Sequence, residues 1–220
     1  MQILPVNPRV IGLKPAISCA LALAMLVGCS ALQKKERRLP PLPLMPPAAL
    51  GQPVQLTQSV TLETSTDSPQ QTEQAISLPL SLLAVWSVNE DGLNFVGLTP
   101  AGQVLMTLTY DGEQFEESYS PLLSLNKSAA AMTIPGREIL AQLQLTYWPI
   151  SVIEQRLRDT PWRLTVNDHG RVLFLGQQQV LDIRFTATNN FGDSNEVIEI
   201  TNTLMRHKLT IKTLTKAVLP

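Results

Sequence analysis

The chain has 220 residues, with 17 Lys and Arg against 18 Asp and Glu, a formal net charge of −1. That balance argues against nucleic acid as a partner, because a phosphate backbone is bound by clustered positive charge. Two cysteines and two histidines leave little for a disulfide framework or a metal site, whereas 44% hydrophobic and 5% aromatic residues supply a core that is mainly aliphatic.

Taken in order, the chain opens on an address rather than a fold element. Arg9 and Lys14 precede a mostly apolar run from Ala16 to Val27 that is too short for an ordinary membrane-spanning helix. The run ends in Leu26-Val27-Gly28-Cys29, followed by Ser30. This resembles the lipobox of bacterial lipoproteins, which implies cleavage of residues 1–28 and acylation of Cys29, with the membrane as a partner through that lipid. Each buried methylene adds about 0.8 kcal/mol, so several acyl chains hold a protein at a bilayer without a transmembrane helix. Ser30 resembles the default, outer-membrane case of Gram-negative lipoproteins. Cys19 leaves with the leader, so no free thiol remains for a disulfide, a metal or a nucleophile. Residues 29–53 read as the acylated cysteine and a tether. The basic run Lys34 to Arg38 fits either anionic headgroups or plain solvation, and six prolines between Pro40 and Pro53 favour an extended, semi-rigid spacer.

From residue 54 to 220 the pattern is that of one domain. Val54, Leu56, Val60 and Leu62 alternate as a first strand, and a polar stretch to Gln74 follows as a loop. Leu80, Leu82, Ala84, Trp86 and Val88 recur every second residue up to the turn Asn89 to Gly92, and Leu93 to Leu98 runs to Thr99-Pro100-Ala101-Gly102. Val104, Met106, Leu108 and Tyr110 then lead to Asp111-Gly112, a hairpin signal before Phe115 to Tyr119. The period changes at Pro135-Gly136. Ile139, Leu140, Leu143 and Tyr147 fall on one helical face, and Ala141, Leu145 and Trp148 fall nearly opposite, so this helix needs apolar neighbours on two sides. A second short helix carries Ile150, Ile153 and Leu157. Strands resume at Trp162, Leu164 and Val166, turn at Asp168-His169-Gly170, and continue through Val172 and Phe174, Leu181 to Ala187, Val197 to Thr203 and Leu209 to Leu214. Asn189 to Asp193 forms a polar turn between two of these strands.

This order of elements, with Thr99-Pro100-Ala101-Gly102 between strands, Ile134-Pro135 before a helix, Trp148-Pro149 at its end, and Glu199-Ile200 before a basic final strand at Lys208 to Lys212, resembles the LolA/LolB-like lipoprotein group. Within it, the chain is similar to lipoproteins encoded alongside aryl-polyene pigment clusters. The resemblance implies a mainly β fold with two short helices (α+β): a strongly curved antiparallel half-barrel whose apolar interior, covered by helices, accepts acyl chains. It also implies an outer-membrane, periplasm-facing location and a LolA-like periplasmic carrier as partner.

Candidate residues for the wall of such a cavity are Leu82, Trp86, Met106, Leu108, Leu143, Trp148, Trp162, Phe174 and Phe185, each of which an ordinary packed core would also contain. Candidates for a membrane-facing loop are Leu98, Thr99, Pro100, Ala101 and Gly102. In LolB the corresponding loop carries a projecting leucine between proline and glycine; here that position is Ala101, with little apolar surface to insert, and Leu98, just before the turn, is the candidate substitute. No nucleophile elbow, phosphate-binding loop or dinucleotide fingerprint occurs. No cofactor, metal site or catalytic residue is therefore expected, and His169 and His207 read as structural. The main expectation is an outer-membrane lipoprotein that binds an apolar ligand, either lipoprotein acyl chains or an aryl-polyene lipid, and helps deliver it. The alternatives are a structural accessory subunit of an envelope assembly with a filled core, and an enzyme acting on a polyene intermediate.

Overall fold

In the computed structural model, residues 40–64, 80–125, 134–186 and 196–219 are described. The leader, Cys29, the basic run at 34–38, the polar stretch to Gln74 and the turn at 189–193 lie outside them. Ten strands form one antiparallel sheet: β1 (Val54–Thr64), β2 (Leu80–Val88), β3 (Leu93–Leu98), β4 (Val104–Tyr110), β5 (Phe115–Tyr119), β6 (Trp162–Asn167), β7 (Gly170–Leu175), β8 (Gln178–Phe185), β9 (Val197–Asn202) and β10 (His207–Val218). Their spatial order is β5-β4-β3-β2-β1-β10-β9-β8-β7-β6, so β5 and β6 are free edges and the sheet does not close. Helices α1 (Gly136–Tyr147) and α2 (Ile150–Leu157) lie between the two runs of strands in sequence. The expected class, a mainly β open half-barrel with two short helices, is what the chain forms.

Alternation explains the strands. In β2, Leu82, Ala84, Trp86 and Val88 are buried while the residues between them are half-exposed, and β3 buries Leu93 and Phe95 in the same way. Side-chain oxygens close the turns: Asn89 Oδ1 accepts from the backbone N–H groups of Asp91 and Gly92, and Asp111 Oδ1 from those of Glu113 and Gln114. Those backbone donors hold the Asp111 carboxyl below its ordinary pKa. β1 is not peripheral. It runs for 11 residues at the centre of the sheet, between β2 and β10, and so joins the beginning and end of the domain. β8 starts at Gln178, ahead of the expected Leu181, and β10 extends beyond Leu209 to Leu214 at both ends.

Helix α1 spans the sheet's concave side. At its start the Gly136 N–H donates to Tyr119 Oη at 2.9 Å, tying the helix to edge strand β5. A Cβ on Gly136 would run into the side chains of Leu108 and Glu117. At the other end Arg171 of β7 donates to the carbonyls of Leu145 (2.7 Å) and Trp148 (2.9 Å), capping the helix with a cation where its dipole favours one. Burial lowers the Arg171 pKa to about 10, which still leaves it charged at neutral pH.

The proline-rich stretch corrects the expected boundary. Residues 40–53 are not a spacer outside the domain; Leu42, Leu44, Met45 and Leu50 are buried in its core, and the compact unit begins at Pro40 instead of residue 54. A backbone interrupted by prolines cannot join a ladder, so its polar groups need other partners. The Gln144 side chain supplies two, accepting from the Met45 N–H and donating to the Met45 carbonyl, each at 2.8 Å. Trp148 Nε1 donates to the Pro46 carbonyl and Arg156 Nε to that of Leu44. This is the second apolar surface that α1 requires.

Both the proline-rich segment at 40–53 and the buried histidine of β10 have measurable consequences. Replacing Gln144 by Met leaves both polar groups of Met45 buried without partners and costs about 2 to 5 kcal/mol in urea unfolding; a free spacer would give no change. His207 is 3% exposed, neither ring nitrogen has a partner, and burial lowers its pKa from 6.5 to about 4. Between those values the unfolded chain binds the proton and the folded one does not, so His207 contributes stability that is present above pH 6.5 and lost as pH falls towards 4. The loss is about 3 kcal/mol, and it should be absent from the pH dependence of His207→Met.

Candidate functional site

The two long sides of α1 face different things. Gln144 and Trp148 meet Met45 and Pro46, while Ile139, Gln142 and Leu143 border an apolar hollow between the helix and the sheet. The sheet's share of the wall comes from Val60 and Leu62 of β1, Leu82 and Ala84 of β2, Phe95, Met106, Ile200, and Leu209 and Ile211 of β10; Ile134 adds to it just ahead of the helix. Those strands are six neighbours in the sheet, which laid flat would span about 24 Å. Only strong curvature lets them share one small space. The hollow measures about 60 Å³. At 10 to 15 Å³ per group of water size, that is space for roughly four to six methylenes, well short of the roughly 300 to 1,000 Å³ of a pocket that encloses a whole drug-sized ligand.

Its floor is set by a polar cluster. Gln58 lies in phase with Val54, Leu56, Val60 and Leu62 and is 1% exposed. Its Oε1 accepts from Trp86 Nε1 at 2.9 Å, and its Nε2 donates to Thr213 Oγ1 at 3.1 Å and to Tyr147 Oη at 2.5 Å. A register shift in the β1–β10 pairing after Thr57 sets Gln58 opposite Thr213. The Trp86 and Tyr147 rings pack with centroids 5.1 Å apart. Desolvation, with Glu196 nearby, pushes the Tyr147 pKa up, so the phenol stays protonated. On the far side of Tyr147 lies a second, polar cleft of about 370 Å³, with Arg171, Glu196, Asp168 and Phe185 in its wall.

Of the nine cavity candidates, Leu82, Met106 and Leu143 lie in the wall of the hollow and the other six do not. Trp86 is sealed behind Gln58, and Leu108 is fully buried against Gly136. Trp148 is turned to the carbonyl of Pro46, and Trp162 is buried at the start of β6 with its indole N–H unpartnered. Phe174 is half-buried with the Arg163 guanidinium 4.3 Å over its ring, and Phe185 belongs to the polar cleft. The wall residues that sequence reasoning missed include Gln58 and Gln142. Each carries a legible signal, a glutamine in register with an apolar series.

The turn Thr99 to Gly102 is tight: the Gly102 N–H donates to the Thr99 carbonyl at 2.9 Å, and Gly102 takes φ 82°, a conformation glycine adopts without strain. Pro100 and Ala101 are exposed, whereas Leu98 is half-buried and shares the outward phase of β3 with Val96. Among the described residues no three His, Cys, Asp or Glu side chains gather as metal ligands, and no helix is long and apolar enough to cross a membrane. If the Gln58 cluster closes the hollow's floor as described, Gln58→Leu removes the bonds that this amide makes to Trp86 Nε1, Thr213 Oγ1 and Tyr147 Oη. It should lower unfolding free energy by about 2 to 4 kcal/mol, measured by urea titration of Trp fluorescence.

Comparison with known proteins gives distant structural likenesses and a family. A crystal structure described as that of an outer membrane lipoprotein-sorting protein domain from Vibrio parahaemolyticus aligns over 76% of this chain and 85% of that one, at 10% identity and a TM-score of 0.42. That similarity is too slight to argue from. No curated protein matches the sequence significantly. A family model matches residues 55–215, from the second residue of β1 into β10, and by that match the chain belongs to DUF3261, a family of proteins of unknown function.

Proposed function

We propose that this protein is a lipid-anchored, periplasm-facing outer-membrane lipoprotein whose domain holds the end of an apolar chain and helps pass it to the membrane. The observation that carries the reading is the hollow under α1, walled mostly by apolar side chains from six strands. The lipobox-like Leu26 to Cys29 supports the anchor. Four to six buried methylenes at about 0.8 kcal/mol each amount to roughly 3 to 5 kcal/mol, which corresponds to binding near the millimolar range. Such binding suits a carrier that must release what it holds. A longer chain requires the wall to give, and Met106 and Leu143 are its most adaptable members. The cargo is an acyl chain of a lipoprotein or, as a finer alternative resting on sequence resemblance, an aryl-polyene lipid. A LolA-like periplasmic carrier is the proposed donor. The role is binding, without catalysis.

A second reading is favoured by the hollow's size. At about 60 Å³ it is also what an imperfectly filled core leaves behind, in which case the protein is an accessory subunit of an envelope assembly. Ala84, 1% exposed in the wall beside Gln58, separates the two. Ala84→Leu fills the space and should leave thermal stability unchanged or raised. With a carrier it also weakens displacement of a fluorescent fatty-acyl probe by at least about ten-fold, because the new side chain occupies the volume of two or more methylenes. A wild-type protein that binds no probe, and releases no lipid in native mass spectrometry, rules the carrier out.

A further inference from the structure

Three glutamines are buried among the described residues, and they differ in one respect. Gln58 and Gln144 use both ends of their amides. Gln142, 1% exposed and in the wall of the hollow, uses neither: Nε2 and Oε1 are both without a hydrogen-bond partner. A buried donor and a buried acceptor left unmade are each unfavourable, so an amide that serves only as packing would be better replaced by a thioether or an alkyl chain. Glu138, one turn earlier on α1, is half-buried; desolvation raises its pKa and the approach of the Gln142 amide tempers the rise, at a geometry too open to satisfy that amide. The wall, apolar elsewhere except at Gln58, therefore has one polar point on its helical side, next to the half-exposed stretch of α1.

We propose that Gln142 is a specificity-determining residue that recognises a secondary amide at the head of a bound acyl chain. Its Nε2 donates to the ligand carbonyl, its Oε1 accepts from the ligand N–H, and the hydrocarbon enters the hollow between Ile139, Leu143 and the sheet. A secondary amide offers one acceptor and one donor, which is the complement of what Gln142 leaves open. An ester or a carboxylate offers acceptors alone and leaves Oε1 unpaired. Amide-linked chains are thus distinguished from ester-linked ones of equal length. This rests on the acyl-binding reading above.

The test compares N-methyldecanamide with methyl decanoate as competitors of a fluorescent fatty-acyl probe, on the full protein and on Gln142→Met. The wild type should bind the amide about ten-fold more tightly than the ester, the effect of one additional buried hydrogen bond. Gln142→Met should bind the two equally well and be no less stable than the wild type. In NMR spectra of the wild type, the Gln142 side-chain carbonyl carbon should shift further with the amide than with the ester, because only the amide donates to Oε1, a readout that stands even if the variant fails to fold. An amide preference that survives in Gln142→Met, or its absence from the wild type while both chains bind, overturns the assignment and leaves acyl binding intact. Failure of every chain to bind overturns both.

Discussion

The amide of Gln58 is the constraint on which the rest of the domain depends. It sits at the centre of the sheet, where the first strand meets both the second and the last, and its three hydrogen bonds join β1 to Trp86 on β2, Thr213 on β10 and Tyr147 on α1. Burial of an amide is tolerable only when its donor and acceptor are both used, and here the cluster draws on four different segments of chain. The interaction thereby fixes where the end of α1 lies over the sheet, and with it the floor of the hollow. The same contact forms the wall between the apolar space and the polar cleft beyond Tyr147.

The amino-terminal proline-rich segment decides how much of the concave face remains. It fills one side with Leu42, Leu44, Met45 and Leu50, held by hydrogen bonds from Gln144, Trp148 and Arg156. What it does not reach, on the side of Ile139, Gln142 and Leu143, is the hollow. The helix is therefore a partition with a filled side and an unfilled one, and its apolar residues on two faces have two different occupations.

Much of this is legible in the sequence, and the misses have physical causes. Period-two alternation locates β2, β3 and β4, and the hairpin signal at Asp111-Gly112 locates β5, because turns marked by Asn89, Asp111 and nearby glycines have local geometry. The two-sided apolar pattern of α1 is equally plain. The Pro-rich run misleads because composition reports backbone preference, an extended chain with few free N–H groups, and is silent about the tertiary partners that such a chain can find. Alternation gives the face of a sheet and not the depth along it, which is why it groups Trp86 and Leu108 with Leu82 and Met106 although they lie elsewhere in the core. Gln58 and Gln142 interrupt apolar series, and a buried glutamine in such a position marks a cross-link in the first case and an open amide in the second.

The unclosed edge has a consequence for how this cavity can change size. In a sealed barrel the girth is locked by strand number and shear, and widening it means unzipping a ladder. Here β5 and β6 never meet, and the width is held by a helix about 18 Å long, braced at one end by Tyr119 and at the other by Arg171. Loosening either brace sacrifices one or two hydrogen bonds and leaves every strand pairing in place. A vessel sprung open by a strut can swell around a guest in a way that a hooped one cannot.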